Sequence, residues 1–98
     1  MGHIIGLSFN NSGENQDWLD TLIRGAPHFA EYVEQSRAYI FRDSDVPVGD
    51  DPTPDCEAWM KSDGLVFNWL GGGRVPKVVY EFLMESLRTK LGQVKEDF

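Results

Sequence analysis

The residues whose types and spacing could do chemistry lie mostly in one stretch, from Gly64 to Gly92. A short apolar run is followed there by three glycines and Arg74, and then by a segment that contains Glu81. Apolar residues recur in that segment at three- and four-residue steps, which predicts a helix that begins near Pro76 and stops at Gly92. A glycine turn before a helix leaves backbone N–H groups that can hold an anion. We therefore expect a buried strand, an anion-binding turn and a helix that carries a carboxylate.

Two interpretations of Glu81 stay open at this point. On a helical wheel Glu81 lies near Lys77 and Arg88, opposite the apolar stripe that contains Val79 and Leu83. An ordinary solvated helix residue occupies such a position, and so does a carboxylate that lines a cleft. The three glycines also have a structural interpretation, because glycine commonly supplies a positive φ at strand-to-helix turns without any ligand.

The length and the charge of the chain narrow the class of protein. Ninety-eight residues, 41% of them hydrophobic, predict one domain, 1–98, with a real core. The net charge is −7, and residues 43–63 carry seven acids against one base. Binding to nucleic acid needs clustered Lys and Arg, so we expect none. The acidic segment suits a basic protein partner or a solvated loop that aids solubility.

The single cysteine, the first residues and the lengths of the apolar runs indicate the cellular compartment of the protein. One cysteine, Cys56, cannot form an internal disulfide, the first residues do not resemble a signal peptide, and no apolar run is long enough to span a membrane. We therefore predict a cytoplasmic protein without membrane contact. Cys56 is either a nucleophile near a helix start or a small core residue. No metal site is predicted, because Asp43 and Asp45 lack the spacing and the glycine of a calcium loop.

Periodicity and turn residues give a coarse reading of the elements. Strands are predicted for Ile4 to Phe9, Ala38 to Phe41 and the apolar run from Gly64. Helical segments are predicted after a cap at Ser12 or Asn15, from about His28 to Gln35, from Thr53 to Asp63 and after Pro76. The order β-α-β-α-β-α favours a parallel sheet with helices on both faces. In that fold the loops 10–14, 42–51 and 71–74 meet at one sheet edge, where open α/β proteins bind ligands.

These motifs, in this order, are similar to those of a known family. The matching segments are Ser8-Phe9 at the end of the first strand with the polar turn from Asn10, Arg42-Asp43 running on to Pro47 and Gly49, Ser62-Asp63 before the third strand, and Glu81 in the second turn of the last helix. Over roughly Ile4 to Leu87 the chain resembles a TIR domain. Family members are usually longer, the residues before the glutamate differ, and a Phe-Trp pair near the end is absent.

The resemblance implies a fold, an activity and a set of site residues. It implies a small flavodoxin-like three-layer fold with a short parallel sheet, and cleavage of the N-glycosidic bond of NAD to release nicotinamide. Glu81 would be the catalytic carboxylate that stabilises positive charge on the ribose, and NAD would be a substrate, with no cofactor. The implied ligand-binding residues are Ser8, Phe9, Asn10, Arg42, Asp43, Gly72, Gly73 and Arg74.

Other functions remain alternatives. TIR domains commonly pair with one another, so the chain could be a non-catalytic protein–protein interaction module, a homo-oligomer, a partner of another TIR-like protein, or an inhibitor. Its altered residues before Glu81 favour this interpretation. The nucleoside deoxyribosyltransferases are also similar, because they place a glutamate on a helix after a turn like Gly72-Gly73-Arg74-Val75.

Overall fold

The computed structural model describes residues 3–9, 13–43, 54–71 and 73–97. In chain order the elements are β1 (His3–Ser8), α1 (Gly13–Arg24), β2 (Phe29–Val33), β3 (Ala38–Phe41), β4 (Cys56–Lys61), β5 (Gly64–Trp69), α2 (Val75–Leu91) and β6 (Lys95–Asp97). All six strands form one sheet in the order β2-β3-β4-β5-β1-β6, and every neighbouring pair is antiparallel.

The predicted flavodoxin-like fold with a parallel sheet is therefore wrong. Two segments that were predicted as helical, around residues 29–33 and 56–61, are strands. Each forms a hairpin with its neighbour, through a turn at residues 34–37 and another at residues 62–63. A turn this short can join only antiparallel strands, because a parallel pair needs a crossover of a dozen or more residues.

β2 imitates the spacing of a helix because its pairing with β3 is irregular. The register shifts between Phe29 and Glu31, so that Phe29 pairs with Phe41 while Tyr32 pairs with Tyr39. A bulge of this kind places two residues that are three apart on the same face of a strand. Both rings contact the Tyr39 ring, at centroid distances of 6.4 Å for Phe29 and 4.8 Å for Tyr32. The three-residue spacing of the aromatic residues therefore misled the helix prediction.

β4 overrides a good helix-start signal in the sequence around Pro54. It pairs with β3 on one side and with β5 on the other, and the strand alternation buries Cys56 and Ala58 against the helices. Met60 packs against the same core, whereas Trp59 points to the opposite face. A helix over residues 53–63 would place Trp59 and Met60 together on the core side, whereas the strand sends them to opposite faces.

Five of the six other elements confirm the sequence predictions, and β6 was not predicted. β1, β3, β5, α1 and α2 lie where periodicity placed them. Pro76 lies in the first turn of α2, and the N–H of Gly92 donates to the Arg88 carbonyl at its end. Neither described helix is long and apolar enough to cross a membrane.

Both helices pack on the same face of the sheet, which gives two layers instead of three. The buried cluster combines Leu19 and Ile23 of α1, the apolar stripe of α2 and one face of each central strand. No described helix covers the opposite face, which we call the outer face. Its apolar residues, none of which belongs to the core cluster, are Ile4, Val33, Ala38, Ile40, Trp59 and Val66.

Candidate functional site

The predicted ligand-binding residues divide between two ends of the sheet. Ser8 ends β1 and pairs with Gly64, the first residue of β5. Arg42 and Asp43 follow β3 at the other end of the sheet, near Trp69, the last residue of β5. The length of β5 separates the two ends by roughly 17 Å. Ser8 and Phe9 therefore do not meet the other predicted site residues, because β1 and β3 run in opposite directions.

The second and third predicted loops do meet, at Asp55. The Asp55 carboxylate accepts a hydrogen bond from the Asp43 N–H at 2.8 Å, and its carbonyl accepts one from the Gly71 N–H at 2.8 Å. Gly73 and Arg74 follow at the start of α2, and Asn10 and Gly72 lie outside the described residues. We call this crossing the Asp55 junction.

The Asp55 junction is built to hold two chain segments together. A Cβ added at Gly71 would lie 3.2 Å from Asp55 Oδ1 and 3.4 Å from its carbonyl oxygen. The negative side chain that already faces this part of the glycine turn would repel a phosphate or a carboxylate at that point. The geometry therefore argues against an anion cradle at this glycine. The positive φ expected for the glycine turn is not found at Gly71 or Gly73 either, and Gly71 is instead explained by its close approach to Asp55.

Glu81 is exposed on the solvent side of α2. It lines a shallow depression with Tyr80, Glu85 and Arg88, which is separate from the Asp55 junction. Val79 and Leu83 on the same helix are fully buried, as the helical wheel predicts. The position of Glu81 is that of a solvated helix residue beside a groove in the surface.

Cys56 is a core residue. Its side chain is fully buried, and burial raises the pKa of the thiol to about 12, with the negative charges of Asp55 and Glu57 acting in the same direction. A thiol with so high a pKa is protonated at neutral pH and is a poor nucleophile. The interpretation of Cys56 as a small apolar core residue is confirmed.

A cluster that the sequence analysis missed joins α1 to the β2–β3 hairpin. The Tyr39 hydroxyl donates to Asp20 Oδ1 at 2.6 Å, and Arg24 Nε donates to the same carboxylate at 3.0 Å. The Arg24 guanidinium also lies 5.0 Å from the centroid of the Tyr32 ring, within cation–π range. The hydrogen bond from Tyr39 lowers the pKa of Asp20, and burial raises the pKa of Tyr39.

A cleft of about 300 Å³ lies beside this cluster, at the end of the sheet where two hairpin turns come together. We call it the tyrosine cleft. It is lined by Gln16 of α1, Tyr32, Arg37 and Tyr39 of the β2–β3 hairpin, and Met60, Lys61 and Ser62 of the β4–β5 hairpin. The sequence contained a signal for it in Tyr32 and Tyr39, but the reading of residues 28–35 as a helix separated them.

Comparison with known proteins gives no family for the chain. No protein-family model matches it, and searches of curated proteins and of solved structures found no match. The resemblance to TIR domains, and the weaker one to deoxyribosyltransferases, rested on short motifs arranged on a parallel sheet. Since the sheet is antiparallel and two of the motifs lie at opposite ends of it, the TIR-like and flavodoxin-like identifications are wrong.

Proposed function

We propose that the chain is a non-catalytic binding module that pairs with a second copy of itself through the outer face of its sheet. The observation that carries this proposal is an apolar row across five adjacent strands of that face. Following the strand register, the row contains Val33, Ala38, Trp59, Val66 and Gly6. An apolar face of this kind on a sheet is normally packed against another layer.

The accessible apolar surface extends beyond this row. Ile4 lies in the next row of the outer face and is 57% exposed. Of the two large hydrophobic residues that are exposed in the described part of the chain, it has the greater exposed fraction. Trp59 and Val66 are half-buried, whereas Ala38 and Ile40 are buried between their neighbours. Glu31, Glu57 and Asn68 lie in the same row as Ile4, so the accessible apolar part of the outer face is Ile4 with the half-buried Trp59 and Val66. Exposed apolar surface of this kind marks interaction sites.

The size and the shape of the outer face suit a second copy. Six strands about 4.8 Å apart and up to six residues long span roughly 500 Å². This is the most that each partner could bury, because Ala38 and Ile40 are already buried, so the total is at most about 1,000 Å², the lower limit for a specific interface. Sheets twist with the same hand, so two copies of one face can stack in the aligned packing of β-sandwiches. A two-fold dimer is also the commonest homo-oligomer. We therefore expect a weak, reversible dimer.

Light scattering at several protein concentrations tests this proposal. The mass is expected to rise from the 11.1 kDa of one chain towards twice that value as the concentration increases. Ile4→Lys and Trp59→Lys each place a charge on the outer face and are expected to return the mass to that of one chain. Val78→Lys is the matched control, because Val78 is an exposed apolar residue on α2, at 37% exposure, away from the outer face. A mass of one chain at every concentration, or an equal effect of Val78→Lys, would contradict the proposal.

NAD cleavage by Glu81 stays a prediction that no observation tests. The resemblance to TIR domains no longer supports this activity. The remaining support is the position of Glu81 beside Tyr80 and Glu85 in a surface depression. Incubation of the protein and of a Glu81→Gln variant with NAD, with nicotinamide release as the readout, tests it directly. Release by the unmodified protein alone would restore the hydrolase and would replace the non-catalytic assignment. We keep the cytoplasm as the proposed compartment, because the one cysteine is a buried free thiol.

A further inference from the structure

We propose that the tyrosine cleft binds a small anionic ligand that carries a flat ring and a phosphate or carboxylate group, of about mononucleotide size. Gln16 of α1 lines the cleft and no residue of the apolar row of the outer face does, so this inference is independent of that row. Its volume of about 300 Å³ lies at the lower end of the range for small-molecule sites.

The aromatic part of the cleft is fixed before any ligand binds. Tyr39 is held through its hydroxyl by Asp20, and Asp20 is held in turn by Arg24. The Tyr32 ring packs at 4.8 Å from Tyr39 and lies 5.0 Å from the Arg24 guanidinium, and it is only partly buried. A ring that is held in place and partly accessible can stack against a flat ligand without a large loss of side-chain entropy.

The charged part of the cleft is positive, in a chain whose net charge is −7. Arg37 lies on the β2–β3 turn and Lys61 at the end of β4, and none of the described lining residues is acidic. The Lys61 ammonium lies 3.7 Å from the Asp63 carboxylate, whose side chain is 72% exposed. A phosphate or carboxylate between Arg37 and Lys61 would gain two charge-assisted hydrogen bonds.

Arg37 is the last residue of the β2–β3 turn. Its φ of 55° lies in the left-handed region, and its N–H donates to the Glu34 carbonyl at 3.3 Å, as in hairpin turns that end on a left-handed residue. This turn places Arg37 beside the cleft that it lines. Gln16 and Ser62, which also line the cleft, supply neutral polar groups for the ligand between its ring and its charge.

The variant Arg37→Gly is expected to weaken ligand binding in the tyrosine cleft without destabilising the fold. Glycine suits the observed φ, so this variant is expected to melt at the same temperature as the unmodified protein or above it. It is expected to bind AMP, followed by calorimetry or by NMR titration, about tenfold more weakly or worse. The matched control is Lys77→Gln, which removes one positive charge from an exposed position on α2.

Four titrations of the full chain define the ligand class. AMP tests the whole proposal, adenosine lacks the charge, inorganic phosphate lacks the ring, and benzoate replaces the phosphate with a carboxylate on a flat ring. Binding of AMP or benzoate that Arg37→Gly weakens and Lys77→Gln leaves unchanged supports the proposal, and the tighter of the two identifies the anionic group. Absence of binding for both at millimolar concentration overturns it. So does adenosine or phosphate binding as tightly as AMP, or an equal loss in Lys77→Gln.

Discussion

Gly64 occupies a position in which a larger residue has no room. A Cβ at this residue would lie 1.8 Å from the carbonyl oxygen of Leu7 and 2.9 Å from its carbonyl carbon, both in the backbone of β1. Contact with a neighbouring backbone cannot be relieved by a side-chain movement, so the two strands would have to separate. The glycine that begins β5 is therefore required by the pairing of β1 with β5.

Gly64→Ala is expected to lower the free energy of unfolding by about 3 kcal/mol or more, since both backbone overlap and lost strand pairing contribute. Urea denaturation measures this loss. Gly73→Ala is the matched control, because an added Cβ there meets nothing within 4 Å, and it is expected to change the free energy by less than about 0.5 kcal/mol. Equal effects of the two substitutions would show that the close approach to Leu7 does not limit this position.

The raised pKa of the Cys56 thiol predicts that the folded protein loses stability at alkaline pH. Burial raises the pKa of its thiol from 9.0 to about 12, so the folded chain retains a proton that the unfolded chain has lost. Its contribution to stability is complete below pH 9 and is lost as the pH rises towards 12. Between pH 9 and 10 the free energy of unfolding is expected to fall by about 1 kcal/mol.

Urea denaturation of the unmodified protein and of Cys56→Ala, at pH 8, 9 and 10, isolates this effect. The alanine variant is expected to be less stable throughout, because it leaves a small cavity, and to show a smaller fall between pH 9 and 10. Burial also raises the pKa of Tyr39 and Tyr80, so part of the fall remains in both proteins. The same slope in both proteins would show that another group titrates.

At the scale of the elements, β6 is held by side chains as much as by its strand pairing. It has three residues, and among the described strands it pairs with β1 alone. Its Glu96 accepts a hydrogen bond from the Tyr80 hydroxyl at 2.6 Å and another from Arg88 Nη2 at 2.7 Å, both from α2. The carboxylate therefore ties the sheet edge to the helix layer.

Glu96→Ala is expected to release β6 while leaving the rest of the sheet folded, because only β6 depends on this carboxylate. Hydrogen exchange of the β6 amides is expected to become faster, with a loss of about 1 kcal/mol in global stability. Glu85→Ala, which removes a carboxylate from the exposed side of α2, is the control and is expected to leave β6 protected. Unchanged protection in Glu96→Ala would show that strand pairing alone holds β6.

At the scale of the whole molecule, the net charge of −7 gives the two proposed interactions different dependences on salt concentration. Two copies of an acidic chain repel each other, and salt screens that repulsion without weakening apolar contact. An anion in the tyrosine cleft is attracted by Arg37 and Lys61, and salt weakens that attraction.

We therefore expect opposite salt dependences. Dimerisation through the outer face should strengthen as the ionic strength rises from about 0.02 to 0.5 M, whereas AMP binding should weaken over the same range. Sedimentation or light scattering measures the first and calorimetry the second, on the same preparations. A dimer that dissociates on adding salt would indicate an interface held by ion pairs and would count against the apolar row.

The sequence by itself determined the elements whose patterns are strong and local. β1, β3, β5 and both helices follow from alternation, helical periodicity, Pro76 and Gly92. It left Cys56 with two interpretations, and the burial of the thiol in the structure decided that it is a core residue.

Only the tertiary structure decided the nature of β2 and β4 and the direction of the sheet. The bulge in β2 gives Phe29 and Tyr32 the spacing of a helix, and β4 becomes a strand because strands on both of its sides pair with it. Strand direction depends on those two elements, and so does the choice of residues that share an end of the sheet. The physical reason is that hydrogen bonds between distant segments fix register and direction, and these bonds leave no local pattern in the sequence. Ser8 and Arg42 were therefore placed together incorrectly, while Tyr32, Arg37 and Lys61, which do come together, were not connected.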